Sequence, residues 1–441
     1  MRVSLRAWVA ICACGLFINA PLLAQESLQP LPEVTPVSYN VHGYSLSRAA
    51  GYPTYDQAYD WAHMQSIHPS GAPLGYASHT LHNGAAFQNA LAGNSCGAGC
   101  AQCGAACGGG GCGSCCASCC EPTWLINARG LIMTRVQPDP FHFSFESTTP
   151  SVCLLRSDDP GLEYWQGGFD INARRRVGCN GGIELNYWWL DPSDDTISLR
   201  VPGLVLNTAI NLNPVAGGIP QIMLGGQTLD SFFDGAGEHR LRRNNEFHNL
   251  EINYTHVGRR SGPNQLFGFS VLGGVRWFRF DEGLQFGSVQ SGFNFGDNGG
   301  LNEAYYDVDT VNNLIGMQSG GEPELFLFRR LRIYTDARAG VYYNNAKQRS
   351  QVYRGDGLLA YDLASDEDMI SLIAQGELGM ELIVTDHITG TLGYRVFNAS
   401  GVALADEQIP AFIHNAQEIL DVNTGGSLTL HGAYAGLIVL W

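Results

Sequence analysis

Much of the chain alternates between apolar and polar side chains with a period of two. In residues 183–189, apolar side chains occupy one set of alternate positions, while Glu184 and Asn186 occupy the other. Residues 249–255 and 372–384 repeat this alternation. Because successive side chains of a β-strand point to opposite faces of its sheet, the pattern predicts strands with one apolar and one polar face.

Ten such segments follow one another in the chain. We predict strands at 123–136, 168–178, 182–190, 246–258, 265–282, 305–320, 331–347, 369–385, 387–398 and 427–441. Several exceed the roughly 9 to 11 residues that a tilted strand needs to cross a bilayer, so they are expected to project beyond it. Segment 191–245 contains two further short apolar runs, which leaves twelve strands as the alternative.

The connections between these strands alternate in length. The short ones are 179–181, 259–264 and residue 386, with about 321–330 at the place of another short one, and the long ones are 137–167, 191–245, 283–304, 348–368 and 399–426. Long outer loops alternating with short periplasmic turns are typical of an outer-membrane barrel, whose closed sheet has no edges. We therefore predict an all-β fold, a transmembrane antiparallel up-and-down β-barrel over 123–441.

Charged residues divide between the two kinds of connection. Arginines lie at or beside the short ones, namely Arg174, Arg175, Arg176, Arg259, Arg260, Arg329, Arg330 and Arg332. Carboxylates lie in the long ones, namely Asp191, Asp194, Asp195, Asp356, Asp366, Glu367, Asp368, Asp406 and Glu407. Arginine can pair with anionic lipid on the periplasmic side, so the bias favours that orientation, although charges collect at strand ends in general.

The composition fits a barrel and excludes other classes of protein. Only 15% of the residues are charged, which is below the roughly 25% of an average soluble protein. The formal net charge of -16 would repel phosphate, so no nucleic-acid partner is expected. Beyond the N-terminus there is no apolar run of about 18 to 20 residues, which excludes a bundle of membrane-spanning helices.

Both ends of the chain carry signals for export. Residues 1–24 combine Arg2 and Arg6 with an apolar core, and this predicts a cleaved signal peptide. Residues 436–441 form an apolar segment that ends in Trp441 and resembles the outer-membrane insertion signal. The predicted location is the outer membrane, with outer-membrane lipid and the barrel assembly machinery as partners.

Two low-complexity segments, 25–95 and 96–122, precede the barrel. The first is rich in Pro, Gly, Ser and Ala and is predicted to be largely disordered. The second contains nine cysteines: Cys96, Cys100, Cys103, Cys107, Cys112, Cys115, Cys116, Cys119 and Cys120. Nine thiols cannot all pair internally, so disulfide cross-links to other envelope proteins are the first interpretation. A soft-metal site with upstream histidines, and less readily an iron–sulfur cluster, are the alternatives.

The polar face of the predicted strands lines the lumen. Strand parity places four carboxylates there: Glu184, Glu251, Glu377 and Glu381. Charge facing lipid is costly, which favours this register, and an acidic lumen would favour cations. The first hypothesis is a porin-like diffusion pore for small solutes. The alternative is a non-conducting structural barrel that anchors the cross-linked cysteine-rich segment to the envelope.

The sequence shows no recognisable catalytic or cofactor motif. The glycine run at 108–111 lacks the strand and helix that would make it a phosphate-binding loop. The histidines of the predicted strands, such as His248 and His431, have no neighbour in sequence that suggests a catalytic pair. We therefore expect no enzymatic activity, no cofactor and no bound metal.

Several of these strands resemble a family of planctomycete porin-like outer-membrane β-barrel proteins, formerly classed as a domain of unknown function. The resemblance lies in the opening strand from Trp124, in Gly182-Ile-Glu-Leu-Asn-Tyr-Trp-Trp-Leu, Leu272-Gly-Gly-Val-Arg-Trp-Phe, Asn313-Leu-Ile-Gly-Met-Gln-Ser-Gly and Gly379-Met-Glu-Leu, and in the terminal strand. It covers roughly 123–441. The resemblance implies an outer-membrane barrel with a pore role and supplies no catalytic residue.

Overall fold

A computed structural model describes residues 124–441 apart from 138–139, 160–161, 163–164, 178–179, 213–220, 259–265, 329, 411 and 414. The segments predicted at 1–24, 25–95 and 96–122, including all nine clustered cysteines, lie outside the described residues. The predictions made for those segments therefore stay predictions.

The described chain is almost entirely β-structure. Its strands are β1 (Trp124–Val136), β2 (His142–Glu146), β3 (Thr149–Arg156), β4 (Gln166–Val177), β5 (Gly181–Leu199), β6 (Leu206–Thr208), β7 (Met223–Leu224), β8 (Gln227–Thr228), β9 (Ala236–Val257), β10 (Phe267–Gln290), β11 (Glu303–Phe328), β12 (Leu331–Arg354), β13 (Leu359–Ile383), β14 (Ile388–Val402) and β15 (Gly426–Leu440). Between them lie the helices α1 (Asp230–Phe233) and α2 (Ala416–Ile419) and the 3-10 turns Asp297–Gly300 and Asp406–Gln408. No helix among these residues is long and apolar enough to cross a bilayer.

Ten of the strands close into a ring. β1, β4, β5 and β9 to β15 pair antiparallel with their neighbours in chain order, and β15 pairs with β1 to complete the circuit. The predicted ten-stranded up-and-down barrel is confirmed. The alternative of twelve strands is wrong, because residues 197–199 continue β5 while β7 and β8 form a separate two-stranded sheet.

The two ends of the barrel chain meet at the mouth that carries the short turns, here termed the short-turn mouth. The N–H of Trp124 donates to the carbonyl of Trp441 at 3.0 Å, and the N–H of Trp441 donates back at 3.1 Å. The opposite mouth, here termed the long-loop mouth, carries β2, β3, β6 and α1 in the connections between barrel strands. Trp441, the predicted insertion signal, is 53% exposed at the short-turn mouth.

β9, β10, β12 and β13 extend further toward the long-loop mouth than their alternation predicted, whereas β11 extends mainly toward the short-turn mouth, over residues 321–328 that were predicted as a connection. β9 to β13 contain 22 to 26 residues, about twice the number that crosses a bilayer. The loop predicted at 348–368 is instead a tall hairpin of β12 and β13 that turns at 355–358. In this upper part the polarity is reversed, since Leu241 is buried inside while Arg242 points outward. Where the apolar face of a strand changes from outside to inside partway along, the alternation no longer shows that the strand continues.

An apolar belt surrounds the outer wall between two rings of aromatic side chains. The lower ring comprises Trp124, Tyr254, Phe267, Phe269 and Trp441, and the upper ring comprises Phe169, Tyr187, Trp189, Trp277, Tyr343 and Tyr394. Between the rings, Ile252, Met317 and Leu378 are 51%, 75% and 58% exposed. Continuous apolar exposure of this extent, bounded by aromatic rings, is the surface of a barrel that spans a membrane.

Candidate functional site: the filled lumen

Charged side chains fill the lumen next to the short-turn mouth. This ionic layer comprises the carboxylates of Asp170, Glu184, Glu251, Glu322, Glu324, Asp336, Glu377 and Glu381, and the guanidinium groups of Arg129, Arg174, Arg276, Arg332, Arg338 and Arg395. The four carboxylates that strand parity singled out, Glu184, Glu251, Glu377 and Glu381, lie within it and are 0%, 1%, 7% and 3% exposed. Their role as the lining of a pore stays a prediction.

Two carboxylates and two arginines form a closed cycle in this layer. Arg129 donates from Nη1 to Glu377 at 3.0 Å and from Nη2 to Asp170 at 2.7 Å. Arg395 donates from Nε to Glu377 at 2.7 Å and also pairs with Asp170. The second oxygen of Asp170 accepts from the amide of Asn186 at 2.8 Å. Each buried charge therefore faces two of opposite sign, which offsets its loss of hydration.

The next two carboxylates share one arginine. Glu251 accepts hydrogen bonds from Arg276 and Arg338, both at 2.6 Å. Glu184 accepts from Arg174 at 2.6 Å and lies 3.3 Å from Arg338. Arg338 therefore joins the carboxylates of β5 and β9 to the opposite part of the ring.

Glu381 belongs to a third group around Arg332. The Nε of Arg332 donates to Glu381 at 2.8 Å, and its Nη1 lies 3.0 Å from Glu322 and 2.5 Å from Glu324. A cavity of about 70 Å³ lies among these side chains at the short-turn mouth, which is room for a few water molecules.

Pairing neutralises most of the charge in the lumen. The ionic layer holds eight carboxylates and six guanidinium groups, a formal charge of 6 - 8 = -2. The acidic lumen expected from Glu184, Glu251, Glu377 and Glu381 is therefore an ion-pair network, because the inward arginines occupy the same height in the barrel.

Above the ionic layer, large apolar side chains close the lumen. This aromatic layer comprises Trp188, Phe247, Phe278, Phe280 and Phe397 together with Leu131, Leu190, Leu314 and Leu430, each at most 2% exposed. Trp188 meets Phe397 edge-on with ring centroids 5.5 Å apart, and Phe278 lies 4.7 Å from Phe397. Because β5 and β10 lie across the ring from β14, these rings meet over the axis. A water-filled channel would leave them accessible, so water is excluded at this level.

Residues 402–408, here termed the plug, comprise the end of β14 and the start of the β14–β15 connection, and they enter the barrel above the aromatic layer. The amide of Asn312 donates to the carbonyl of Ala403 at 2.8 Å and accepts from its N–H at 2.8 Å. Glu282 accepts from the N–H of Ala405 at 3.0 Å and from Arg243 at 2.9 Å. Irregular backbone inside a barrel needs such partners, so the wall is built to hold the plug.

The connections at the long-loop mouth pack into an apolar cap. The cap consists of β2, β3, β6, α1 and the upper barrel wall, and its buried residues include Phe143, Leu155, Phe232, Phe233, Leu241, Leu284, Phe286 and Tyr306. Within the described residues, the lumen is thus filled at four successive levels: the ionic layer, the aromatic layer, the plug and the cap.

A serine–histidine pair links the cap to the barrel wall. Ser144 Oγ of β2 lies 2.5 Å from Nδ1 of His239 on β9, and the Nε2 of His239 lies 3.1 Å from the carbonyl of Phe233. Because a carbonyl only accepts, Nε2 carries the proton and Ser144 donates to Nδ1. Ser144 is 1% exposed and His239 is 0% exposed, so no substrate reaches the hydroxyl. Sequence reasoning missed this pair because 95 positions separate its members.

The cap is expected to loosen in acid. His239 lies above the upper aromatic ring, outside the membrane-spanning part, and burial lowers its pKa to about 4. Protonation is thus favoured in the unfolded chain, so stability falls as the pH drops below about 6.5 and the loss levels off near pH 4 at roughly 3 kcal/mol. Melting of the full chain in detergent, compared with His239→Gln, measures this; parallel pH profiles for the two proteins would contradict it.

Other predicted residues have ordinary structural partners. His248 lies on the outer wall, 2.9 Å from both Tyr187 Oη and Glu246. Of the arginines beside the short turns, Arg175 lies with its guanidinium 5.3 Å from the Trp124 ring centroid. Those at 259, 260 and 329 lie outside the described residues. In the part of the chain that is described, no group of three or more His, Cys, Asp or Glu side chains is placed to hold a metal ion.

The sequence analysis did not include four arginines among the lumen-lining side chains: Arg129, Arg276, Arg338 and Arg395. Each occupies the inward parity of its strand, so the alternation that located the carboxylates could also have located them. Arg395, for example, lies between the exposed Tyr394 and Val396. Their ion-pair partners could not have been found this way, because the alternation within one strand does not show which side chains of distant strands lie opposite it in the lumen.

Comparison with known proteins finds no matching family model and no matching curated protein. Among solved structures, the chain is similar to the outer membrane protease OmpT from Escherichia coli, with 8% identity, 72% of this chain and 96% of that chain covered, and a TM-score of 0.35. A major outer membrane protein from Thermus thermophilus has 10% identity, coverage of 72% and 99%, and a TM-score of 0.27. The P. putida toluene transporter TodX has 9% identity, coverage of 73% and 90%, and a TM-score of 0.25. Values this low support no inference about activity.

Proposed function

We propose that the protein is an outer-membrane β-barrel whose lumen is closed, and that it anchors its N-terminal cysteine-rich segment to the cell envelope. The observation that carries this proposal is the aromatic layer, in which Trp188, Phe278 and Phe397 are fully buried over the barrel axis. A ten-stranded barrel is narrow enough for side chains from opposite walls to fill it.

The geometry of the short-turn mouth supports the anchoring role. β1 begins at Trp124, which is hydrogen-bonded to Trp441 at this mouth, so the chain that precedes residue 124 joins the barrel there. In an outer-membrane barrel the short turns face the periplasm. Segment 96–122 would then begin its course in an oxidising compartment, where its nine thiols can form disulfides with other envelope proteins.

The diffusion pore is the competing function, and the polar cavity among Glu322, Glu381 and Arg332 favours it. Conduction would require the aromatic layer and the plug to separate. Each inward charge that a cation would meet is already paired with an arginine, so the cavity by itself supplies no continuous path.

Two measurements on the full chain test the proposal. In planar bilayers, the inserted protein is expected to carry no steady current. On non-reducing gels, outer-membrane fractions are expected to contain high-mass species that disappear on reduction and in a variant with the nine clustered cysteines changed to Ser. Cys153→Ser, which removes a thiol of the cap that is free in the structure, is the matched control and should leave them unchanged.

Stable current steps with cation preference, weakened by Glu377→Gln or Glu381→Gln, would overturn the closed barrel in favour of the pore. High-mass species that survive in the nine-cysteine variant would overturn the anchoring role alone.

A further inference from the structure

A groove lies on the outer wall above the upper aromatic ring, and its lining residues belong to β5, β9, β10 and β11. The outward residues of β10 at this height are Gly283, Gln285 and Gly287, of which only Gln285 has a long side chain. Larger residues of β9 and β11 flank them in register, with Arg242 and Asp307 on either side of Gln285. The resulting groove has a volume of about 500 Å³ and is lined by Asp194, Thr196, Arg240, Arg242, Gln285 and Tyr305.

Tyr305 lines the groove and belongs to a cluster of aromatic rings. Tyr305 and Tyr353 stack with centroids 5.3 Å apart at an interplanar angle of 24°, and Phe295 lies 6.0 Å from Tyr305. The ring of Tyr305 lies against Gly287, where an added Cβ would come within 2.9 Å of it. The guanidinium of Arg240 is 3.9 Å from the ring centroid of Phe295. The absence of a side chain at Gly287 therefore allows the ring of Tyr305 to lie against the outer wall of the barrel.

Planar polar groups line the groove. Arg242 makes a two-pronged pair with Asp194, at 2.6 Å and 2.5 Å. Gln285 is held in place by Asp307 of β11, which accepts from the amide of Gln285 at 3.3 Å and from Tyr353 Oη at 2.9 Å. The groove therefore presents a guanidinium group, a carboxylate and an amide along one wall.

This combination of groups fits a sugar ring. The C–H faces of a pyranose can pack on aromatic rings, while its adjacent hydroxyls can bond two at a time to carboxylate, amide and guanidinium groups. A phosphate ion alone would pair with Arg240 and Arg242 but would leave the ring of Tyr305 without a contact. A purely apolar ligand would leave the polar side walls unpaired.

The height of the groove indicates where the sugar comes from. Gln285 lies on the same strand and the same face as Trp277 of the upper aromatic ring. At about 3.4 Å per residue and a tilt of roughly 40°, it stands on the order of 20 Å above that ring. The exposed apolar belt directly below, which includes Val275 and Met317, would contact the acyl chains of the same molecule.

We propose that this groove binds the sugar headgroup of a glycolipid in the outer leaflet, with the acyl chains of that lipid against the belt beneath. The inference rests on the proposed outer-membrane location, since only that membrane face would present a glycolipid to the wall. It does not depend on whether the lumen conducts or on the cysteine-rich segment.

The test uses the full chain purified in detergent and then exposed to three probes: lipopolysaccharide, its delipidated core oligosaccharide, and phosphatidylglycerol. Native mass spectrometry measures how much of each probe is retained. Lipopolysaccharide is expected to bind, and both Arg242→Gln and Tyr305→Leu are expected to weaken it, the first by roughly tenfold because a charged hydrogen-bonding group is lost. Arg349→Gln is the matched control, because Arg349 makes the same two-pronged exposed pair with Asp362 away from the groove, at 2.9 Å and 2.7 Å.

Equal retention by the groove variants and the wild type would overturn the proposal. So would equal binding of phosphatidylglycerol, which would mean attraction by charge alone, or equal binding of the free oligosaccharide, which would remove the lipid from the interaction. Gel mobility of unheated samples confirms that each variant is a folded barrel. A wild-type chain that binds no glycolipid but is recovered in outer-membrane fractions refutes the groove alone, whereas a chain absent from those fractions refutes the proposed location.

Discussion

Replacing Asp170 by Asn is expected to destabilise the barrel by roughly 3 to 5 kcal/mol, the usual cost of removing one partner from a buried ion pair. Asp170 is fully buried and accepts hydrogen bonds from Arg129, Arg395 and Asn186. Without the charge of Asp170, the cycle retains a single carboxylate, that of Glu377, beside the buried guanidinium groups of Arg129 and Arg395. The free energy of unfolding in urea, followed by tryptophan fluorescence of the full chain in lipid vesicles, measures the loss.

The same chemical change on the outer wall gives the control. Asp362→Asn breaks the pair of Asp362 with Arg349, which water can replace because both side chains are largely exposed. The expected loss there is far smaller than for Asp170→Asn, because water and salt screen an exposed ion pair. Adding Arg395→Gln to Asp170→Asn should recover part of the stability, since it removes one of the uncompensated charges. Equal losses for Asp170→Asn and Asp362→Asn would mean that the ionic layer is solvated rather than buried.

Trp188→Ala is expected to open a leak through the barrel and to cost about 3 to 5 kcal/mol, the range for deleting a large buried aromatic side chain. Trp188 reaches over the axis to Phe278 and Phe397, with ring centroids 5.9 Å and 5.5 Å away. Its removal leaves a gap between the ionic layer below and the plug above. Current in planar bilayers measures the leak, and the urea experiment measures the lost stability.

Trp189→Ala is the matched control because the next residue of the same strand faces the lipid. It packs against Phe169 with ring centroids 5.7 Å apart, on the outer wall, so its removal should change membrane anchoring without producing current. A leak in Trp189→Ala would show that any loss of tryptophan loosens the barrel. If the double variant Trp188→Ala with Phe397→Ala carried no current, the plug alone would be sufficient to close the lumen.

The strands were predictable because their alternation is local. Glu251 and Ile252 in β9 show it clearly, since one is buried in the lumen and the other is 51% exposed to the membrane side. Higher in the same strand, Leu241 is inside and Arg242 is outside. A pattern interpreted as apolar outside and polar inside fails there, and for this reason the upper parts of β9, β10, β12 and β13 were predicted as loops.

The cap and plug could not be predicted for a different reason. Ser144 and His239 lie 95 positions apart, and Asn312 holds Ala403 across 91 positions. Neither pair has a sequence motif, because a single hydrogen bond imposes no spacing. In the sequence, residues 402–408 look like part of a polar connection, whereas in the structure Asp406 is buried beside Arg243 at 3.3 Å.

The sequence by itself determined the ten strands, their antiparallel order and which side chains of the membrane-spanning part face inward, because each of these follows from alternation and turn length along the chain. Only the tertiary structure decided what the inward side chains do. Arg129 and Glu377 are 248 positions apart, and Trp188 meets Phe397 only because the ring brings β5 and β14 to opposite walls. Whether a lumen is open or filled depends on how closely side chains from opposite walls approach each other. The alternation within a strand shows which side chains point inward but not how far apart they are.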